Sequence, residues 1–466
     1  MMSKFELSDG LDENKIFLLN LSQLSTQWSA NFYHKERLKY LDIFLNPNYK
    51  FDIKRLNKII NISSQKSIAS KVDNYIGMAN IESNTGKYIS SEKDKGKGDC
   101  SLFKKGDVLF GKLRPYLNKV YLAEFNGGCT TEFIVMDTLN ENIISNKFLS
   151  IFLLLDCVVN QTKHMMTGNT LPRLQTFDIE NLIIPIPPKE IQQKIIDIMN
   201  NAYIQKKQKE QQAKELLDSI DNYLLDELGI VLPEIDNSLK KRIFEVNLSE
   251  ISGGRFDSYF YTKEYKNLIK SILNSKFPTY KLKEKCIFIA GYAFKSNDYC
   301  KQSNALLITI KNIFKNSINL KKVTYLPDNF LQEYKKYLIN KNDLLIAMTG
   351  ATIGKVALFN VDKSALLNQR NGIIRSSLIN TDFLMNLLNI ELYQKIILIN
   401  AVGGAQPNIS ETGIMNLNIP FPPLEKQNEI AKYIQTIRDK AKKLKTEATQ
   451  DLENAKLEVE KMILGK

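Results

Sequence analysis

The chain has 466 residues, 43% apolar and 25% charged, which is enough apolar material for two or three cores and excludes a disordered polypeptide. Its 64 Lys and Arg against 51 Asp and Glu leave a net charge of +13, so nucleic acid is the leading partner class, set against a merely basic cytosolic protein. Cys100, Cys129, Cys157, Cys286 and Cys300 are odd in number and lack Cys-x-x-Cys spacing, which supports neither a disulfide framework nor a zinc knuckle and fits a reducing, cytoplasmic setting. The N-terminal MMSKFELSDGLDENK has no signal pattern, and the longest apolar stretch, Phe148 to Val159, is short and broken by Asp156, so no membrane span is expected.

Compared with itself, the chain repeats. KIFLLNLSQL at 15 to 24 returns as RIFEVNLSEI at 242 to 251, with five identities in ten. Lys105, Asp107 and Leu109 return as Lys341, Asp343 and Leu345, and Lys119-Val120 returns as Lys355-Val356. LPRLQTFDIENLIIPIPPKEIQQKIIDIMN, 171 to 200, matches QPNISETGIMNLNIPFPPLEKQNEIAKYIQ, 406 to 435, at eleven positions in thirty, against about two expected by chance. The shift grows from 227 to about 236, as loops of unequal length produce, and the order is kept throughout, so the chain is a module written twice.

Each module opens with a short lead, then a stretch rich in β-branched and aromatic residues broken by Gly and Asn, 50 to 185 and 277 to 420, which predicts a mixed strand-and-helix globule. A long helix follows. Pro187-Pro188 and Pro422-Pro423 mark the starts and Gly229 and Gly465 the stops, and residues 189 to 228 and 424 to 464 contain no Gly or Pro. Such rods run about 60 Å.

In the second rod Ile430, Ile434, Ile437, Ala441, Leu444 and Ala448 follow coiled-coil spacing, which continues through Ala455, Val459 and Met462 with Asp451 as the exception. The first rod is apolar at its ends (Ile191, Ile195, Ile198, Ala202; Leu217, Ile220, Leu224, Leu228) and polar at QKKQKEQQAKE, 205 to 215. The rods are expected to pack on each other rather than lie as solvated surface helices. Two globules on two such helices predict a pseudo-two-fold molecule suited to a bipartite DNA site.

The residues resemble the DNA-specificity subunits of type I restriction-modification systems. The resemblance covers nearly the whole chain and is carried by KKGDVLFGKLRPYLNKV and NKNDLLIAMTGATIGKV, CTTEFIV and LNQRNGIIR, GNTLPRL and GGAQPNIS, and the IPIPPKEIQQKI and IPFPPLEKQNEI blocks. It implies an α+β architecture: two mixed α/β target-recognition domains in tandem, 1-186 and 230-421, with long antiparallel coiled-coil spacer helices at 187-229 and 422-466. It further implies a non-catalytic subunit that reads a split sequence in double-stranded DNA. The spacer helices would dock two methyltransferase subunits and, later, restriction/translocase subunits. S-adenosylmethionine, ATP and Mg²⁺ would belong to those partners, with no cofactor on this chain.

A search for chemistry agrees. Asn46-Pro47-Asn48-Tyr49 lacks the second Pro of a base-gripping methyltransferase turn and has no Gly-rich loop before it. Pro327-Asp328 with Glu333-Tyr334-Lys335 resembles nuclease carboxylate spacing but is too compressed to place two strands, and reads as a helix start. His34 and His164 are the only histidines and lie far apart in sequence, so neither a metal cluster nor a catalytic site is expected. A self-sufficient methyltransferase or nuclease, a coiled-coil adaptor without DNA, and the specificity subunit of a system with fused modification and cleavage are the rival readings.

Base edges and phosphates call for Arg, Lys, Asn, Gln and hydroxyl groups. In the first module these are Lys112, Arg114, Asn118, Lys119, His164, Asn169, Thr170 and Arg173. In the second they are Lys311, Asn312, Thr349, Lys355, Asn368, Gln369, Arg370, Gln406 and Asn408. Arg114 and Arg370 stand out because a planar five-donor fork suits both targets. Asn and Gly clusters can instead be making turns, and Lys119 and Lys355 can be repeated for structure. Residues 61 to 100 and 287 to 330 hardly match, as expected of two heads that share a frame and read different half-sites.

Overall fold

The computed structural model describes residues 29–91, 96–234, 243–251, 258–402 and 407–465, with positions 12, 16, 18 and 19 before them. Most of the first repeated block, 15 to 24, and the start of its counterpart therefore lie outside the described residues. Two compact units emerge: 1–210 with 445–466, and 211–444.

The long helices span Lys189–Leu228 and Leu424–Leu464. They do not stand apart as segments of their own, as the expected division had them, because each contributes one half to each unit. In the first unit Ile195, Met199 and Ala202 share a core with Leu452, Ala455, Val459 and Ile463. In the second, Ile220, Leu224 and Leu228 share a core with Ile430, Ile434 and Ile437. In both units the beginning of one helix therefore lies with the end of the other, which makes the pair antiparallel. The apolar ends of the helices are parts of the globular cores, and this is why they are apolar.

The coiled-coil spacing is kept, with one slip. Asp451 lies at the edge of the seam and pairs with Lys209 at 2.7 Å, while Leu452 fills the buried position and the register moves on to Ile463 in place of Met462. In the polar stretch of the first helix, Lys206 buries its stem and carries its ammonium to Glu210. Ala213 is wholly buried.

Among the described residues, each unit contains two four-stranded sheets. The first is fully antiparallel and has the same order in both units. It runs Ile60–Ile62, Phe133–Thr138, Val108–Gly111, Val120–Leu122 in one, and Ile287–Ala290, Asn371–Arg375, Leu344–Ala347, Val356–Leu358 in the other. The second sheets share three strands: Asp99–Phe103, Gly127–Thr130 and Tyr75–Ile76 correspond to Leu338–Ile339, Ala365–Leu367 and Ala305–Ile308, and the last pair is parallel in each. The fourth strand is added at opposite edges: Lys66–Ile68 beside Asp99–Phe103, but Thr324–Leu326 beside Ala305–Ile308. This difference falls in the stretches that fail to match in sequence.

The matched motifs have local physical reasons. Asp107 accepts the Lys104 N–H at 2.7 Å and Asp343 accepts the Asn340 N–H at 2.6 Å, closing the same turn before a buried strand. The turn needs a left-handed residue, which is Gly106 in one unit and Asn342 in the other. In the Pro-Pro blocks, Gln192 and Gln427 are almost wholly buried. Gln192 donates to Pro187 O (2.9 Å) and Ile143 O (2.8 Å) and accepts from Ser145 N (3.3 Å). Gln427 donates to Pro422 O (2.9 Å) and accepts from Asn380 N (2.9 Å). One side chain thus ties the start of each long helix to the start of the globule's own helix, Asn146–Leu153 or Thr381–Asn389. A strand ribbon, Asp52–Arg55 with Ile183–Ile186 or Thr279–Lys281 with Asn418–Pro420, leads the chain into that knot.

Candidate nucleic-acid interface

Strand register places a group of loops at one end of each unit's sheets. In the first unit Gly111 pairs with Phe133, so the loops 112–119 and 131–132 leave the sheet together. The segment 167–174 joins them, through Arg114 N to Pro172 O (2.8 Å) and Leu174 N to Lys112 O (3.0 Å). In the second unit Ala347 pairs with Asn371, Ala290 with Gly372, and Ile308 lies beside Leu367, which gathers the loops 348–355, 368–370, 291–294 and 309–312. Ile409 N to Met348 O (2.9 Å) brings in the segment through Asn408. Gly291 is needed there, because a Cβ would sit 2.0 Å from Asn368 O.

Most of the residues expected to contact DNA lie on these loops, although their side chains are not equally available. Lys112 and Lys355 are half-buried at the loop roots, Asn169 and Thr170 are exposed at the tip of 167–174, and Lys311, Gln369, Arg370 and Asn408 are exposed. Arg114 and Arg370 both adopt left-handed backbone, at φ 50° and 67°, a conformation that only loop packing sustains in a residue with a side chain. The Arg114 Nε is buried without a hydrogen-bond partner, and the residue as a whole is half-buried. Gln406 lies outside the described residues, with 403 to 405.

Other candidates are engaged in structure. Asn118, 4% exposed, donates to Leu154 O at 2.9 Å. Asn312, 2% exposed, accepts Thr309 N at 2.9 Å and donates to Asn319 O at 2.9 Å. Its counterpart is Asn80, which accepts Gly77 N at 2.8 Å and donates to Ile89 O at 3.1 Å. This buried Asn brace lies inside the stretch that reads as unmatched, and only the repeated Asn four residues after the strand signals it. Lys119 reaches Met78 O, buried Thr349 donates to Pro407 O at 3.2 Å, and half-buried Asn368 accepts Gln369 N at 2.8 Å. For Asn118 and Asn312 a surface role is physically excluded in this conformation, since their amides face inward.

Arg173 is held by a residue that sequence reasoning missed. Glu132 accepts from Arg173 Nε at 3.0 Å and from Nη2 at 2.8 Å, and Nη1 donates to Leu171 O at 3.3 Å.

His164 is not alone. It stacks on His34, with ring centroids 3.9 Å apart and planes at 10°, and its Nε2 lies 2.8 Å from Glu36, which Lys163 also meets at 2.7 Å. His34 caps the helix Lys35–Phe44 through Nδ1, which accepts Glu36 N at 3.2 Å. The expectation that the two histidines stay apart is corrected: separation in sequence is no guide to separation in a folded chain. The hydrogen bonds from Lys163 and His164 bring the Glu36 carboxyl down to about 2, and burial lowers the His164 imidazolium. The ligand-type atoms of His34, Glu36 and His164 lie within 4.8 Å of one another. Parallel rings, however, direct their in-plane lone pairs side by side rather than at one point, and an ammonium already occupies the carboxylate. The group is a polar clasp between the helix start and the turn that enters the 167–174 loop.

Comparison with known proteins gives the arrangement its family. The type I restriction modification DNA specificity domain matches residues 48–218 and again 274–454. A type I restriction enzyme MjaVIII specificity subunit from Methanocaldococcus jannaschii is 25% identical over 308 residues, 65% of this chain; the match spans just under two thirds, 66%, of that protein. The EcoAI specificity subunit from Escherichia coli is 24% identical over 431 residues, 77% of this chain and 71% of that one. A solved chain from a study of complex assembly and conformational transition of the type I R-M system shares the fold, with a TM-score of 0.54 at 18% identity over 89% of this chain and 97% of that chain. The double match spans most of the sequence and falls on both structural units, so the chain belongs to the type I restriction-modification DNA specificity family, with two copies of its domain in tandem.

Proposed function

We propose that this chain is the DNA-addressing subunit of a type I restriction-modification complex, in which residues 1-186 and 230-421 read the two halves of a split sequence. The observation that carries the reading is that three loops in the first unit and five in the second gather at one sheet end and present amide, hydroxyl and cationic side chains there: Lys112, Arg114, Asn169 and Thr170 in one, and Lys311, Gln369, Arg370 and Asn408 in the other. The chain's charge of +13 supports phosphate contacts, whose signature is binding that weakens steeply with salt.

The helices 187-229 and 422-466 serve as spacer and as docking surface for two methyltransferase subunits, with restriction/translocase subunits joining later. S-adenosylmethionine, ATP and Mg²⁺ are expected on those partners. The complex works in the cytoplasm. His164 and Arg173 support the loop rather than read bases, since both are engaged by carboxylates.

Methylome sequencing of cells that carry the gene with its partner genes tests the proposal. A split motif with methylated adenine in both halves is the expected result. Methyl transfer or DNA cleavage by the purified chain alone, or a continuous motif, would overturn it.

A further inference from the structure

Backbone hydrogen bonds define two loop positions that are geometrically the same in both units. Lys112 N donates to Glu132 O at 2.9 Å, and Met348 N donates to Arg370 O at 2.9 Å. Thr167 and Arg173 exchange a pair of backbone bonds at 2.8 Å, as do Val402 and Asn408 at 2.8 Å. Glu132 therefore stands where Arg370 stands, and Arg173 where Asn408 stands. In the first unit the two positions form a closed ion pair. In the second, Arg370 is exposed and makes no side-chain hydrogen bond or ion pair among the described residues, and the residue across from it is a neutral, exposed amide.

From this charge inversion at one shared position we infer that Arg370 is a base-reading residue for guanine in the second half-site, and that Glu132 is the positioning residue that withdraws Arg173 from the same role in the first. The inference rests on the DNA-addressing reading above. Guanine is the base because its O6 and N7 present two acceptors to a guanidinium fork in the major groove. A guanidinium without a carboxylate keeps all five donors for that purpose, whereas Arg173 spends Nε and Nη2 on Glu132 and Nη1 on a carbonyl. Two modules on one frame can thus read different bases at one geometrical position by exchanging an acidic side chain for a basic one.

The test is methylome sequencing of cells carrying the full complex with the wild-type chain, with Arg370→Ala, with Glu132→Gln, and with the transplant Glu132→Arg plus Arg173→Asn. Arg370→Ala should relax one guanine position in one half of the motif, with discrimination falling about ten-fold or more, and leave the other half intact. The transplant should bring a guanine preference into the other half. Glu132→Gln, the milder change, should loosen base preference in the first half alone, and Glu132→Asp should restore it, a specificity readout that a purely structural residue would not move. If the wild-type motif is split but Arg370→Ala discriminates as the wild type does, or the variants at 132 and 173 methylate with an unchanged first half, the inference is wrong while the DNA-addressing reading stands. If the wild-type complex yields no split motif, both fall together.

Discussion

Gln192 and Gln427 make the same knot in the two modules, whereas Glu132 and Arg370, at one equivalent loop position, carry opposite charges. The knot is buried, and each of its polar groups would be left without a partner if the amide were lost, so substitution there is costly in either module. The loop position faces outward and is held by backbone bonds, so its side chain is free to change. Duplication followed by divergence is therefore visible atom by atom: identity persists where a buried polar group depends on it, and is lost where only the backbone is fixed.

The comparison can be broken most forcefully in the cores. Met199 and Ile434 are matched positions on the two long helices, each wholly buried in its own unit. Replacing either with Ala should cost about 2–5 kcal/mol, and hydrogen exchange resolved by unit should show protection falling chiefly in the unit that holds the altered residue. Equal loss of protection in both units from a single substitution would show that the frame behaves as one body. Next in size, Gln192→Leu and Gln427→Leu should each cost about 1–3 kcal/mol, because buried carbonyls and an N–H lose their partners; chemical denaturation would measure this, and a neutral outcome at one site would end the equivalence of the knots.

Acid should separate the units more gently. Both histidines belong to the first unit. Burial lowers the folded-state value for His164, so the neutral ring contributes stability at high pH that is lost as pH falls through about 6.5 and below. The Glu36 contribution acts later, since its lowered value retains stability above the ordinary carboxylate range and loses it only toward pH 2. Amide exchange near residues 34–38 and 163–167 should therefore accelerate as pH falls below about 6.5 with no matching change in the second unit, and His164→Gln should flatten that dependence. The smallest effect belongs to Lys341, a residue matched between modules whose ion pair with Asp362 is exposed on both sides. Lys341→Ala should leave the melting temperature unchanged, whereas Asp343→Ala should lower it, because buried Asp343 closes the turn and holds Arg375.

Much of the frame was legible before any coordinates. Proline pairs and the long Gly-free runs marked the helices, because breaker and capping chemistry acts over a few residues, and the repeated Lys-x-Asp and Pro-Pro blocks marked positions the two modules share. The site was legible only in outline. Sequence reasoning led to loops that the structure gathers at one sheet end, but it selected Asn118 and Asn312, whose amides point inward, and passed over Glu132, whose pairing depends on a partner 41 residues away. It also took the separation of His34 and His164 in sequence as a reason to expect no cluster, and the two rings stack.

By itself the sequence determined that there are two modules, which blocks they share, where the long helices begin and end, and that the chain carries excess positive charge, since all of these are local patterns or sums over residues. Only the tertiary structure decided that each helix is divided between two cores, that the fourth strand joins opposite sheet edges, and that Arg173 is paired while Arg370 makes no ion pair among the described residues. Those outcomes depend on contacts between residues far apart in the chain, and a side chain's chemistry is set by the partner that packing brings to it.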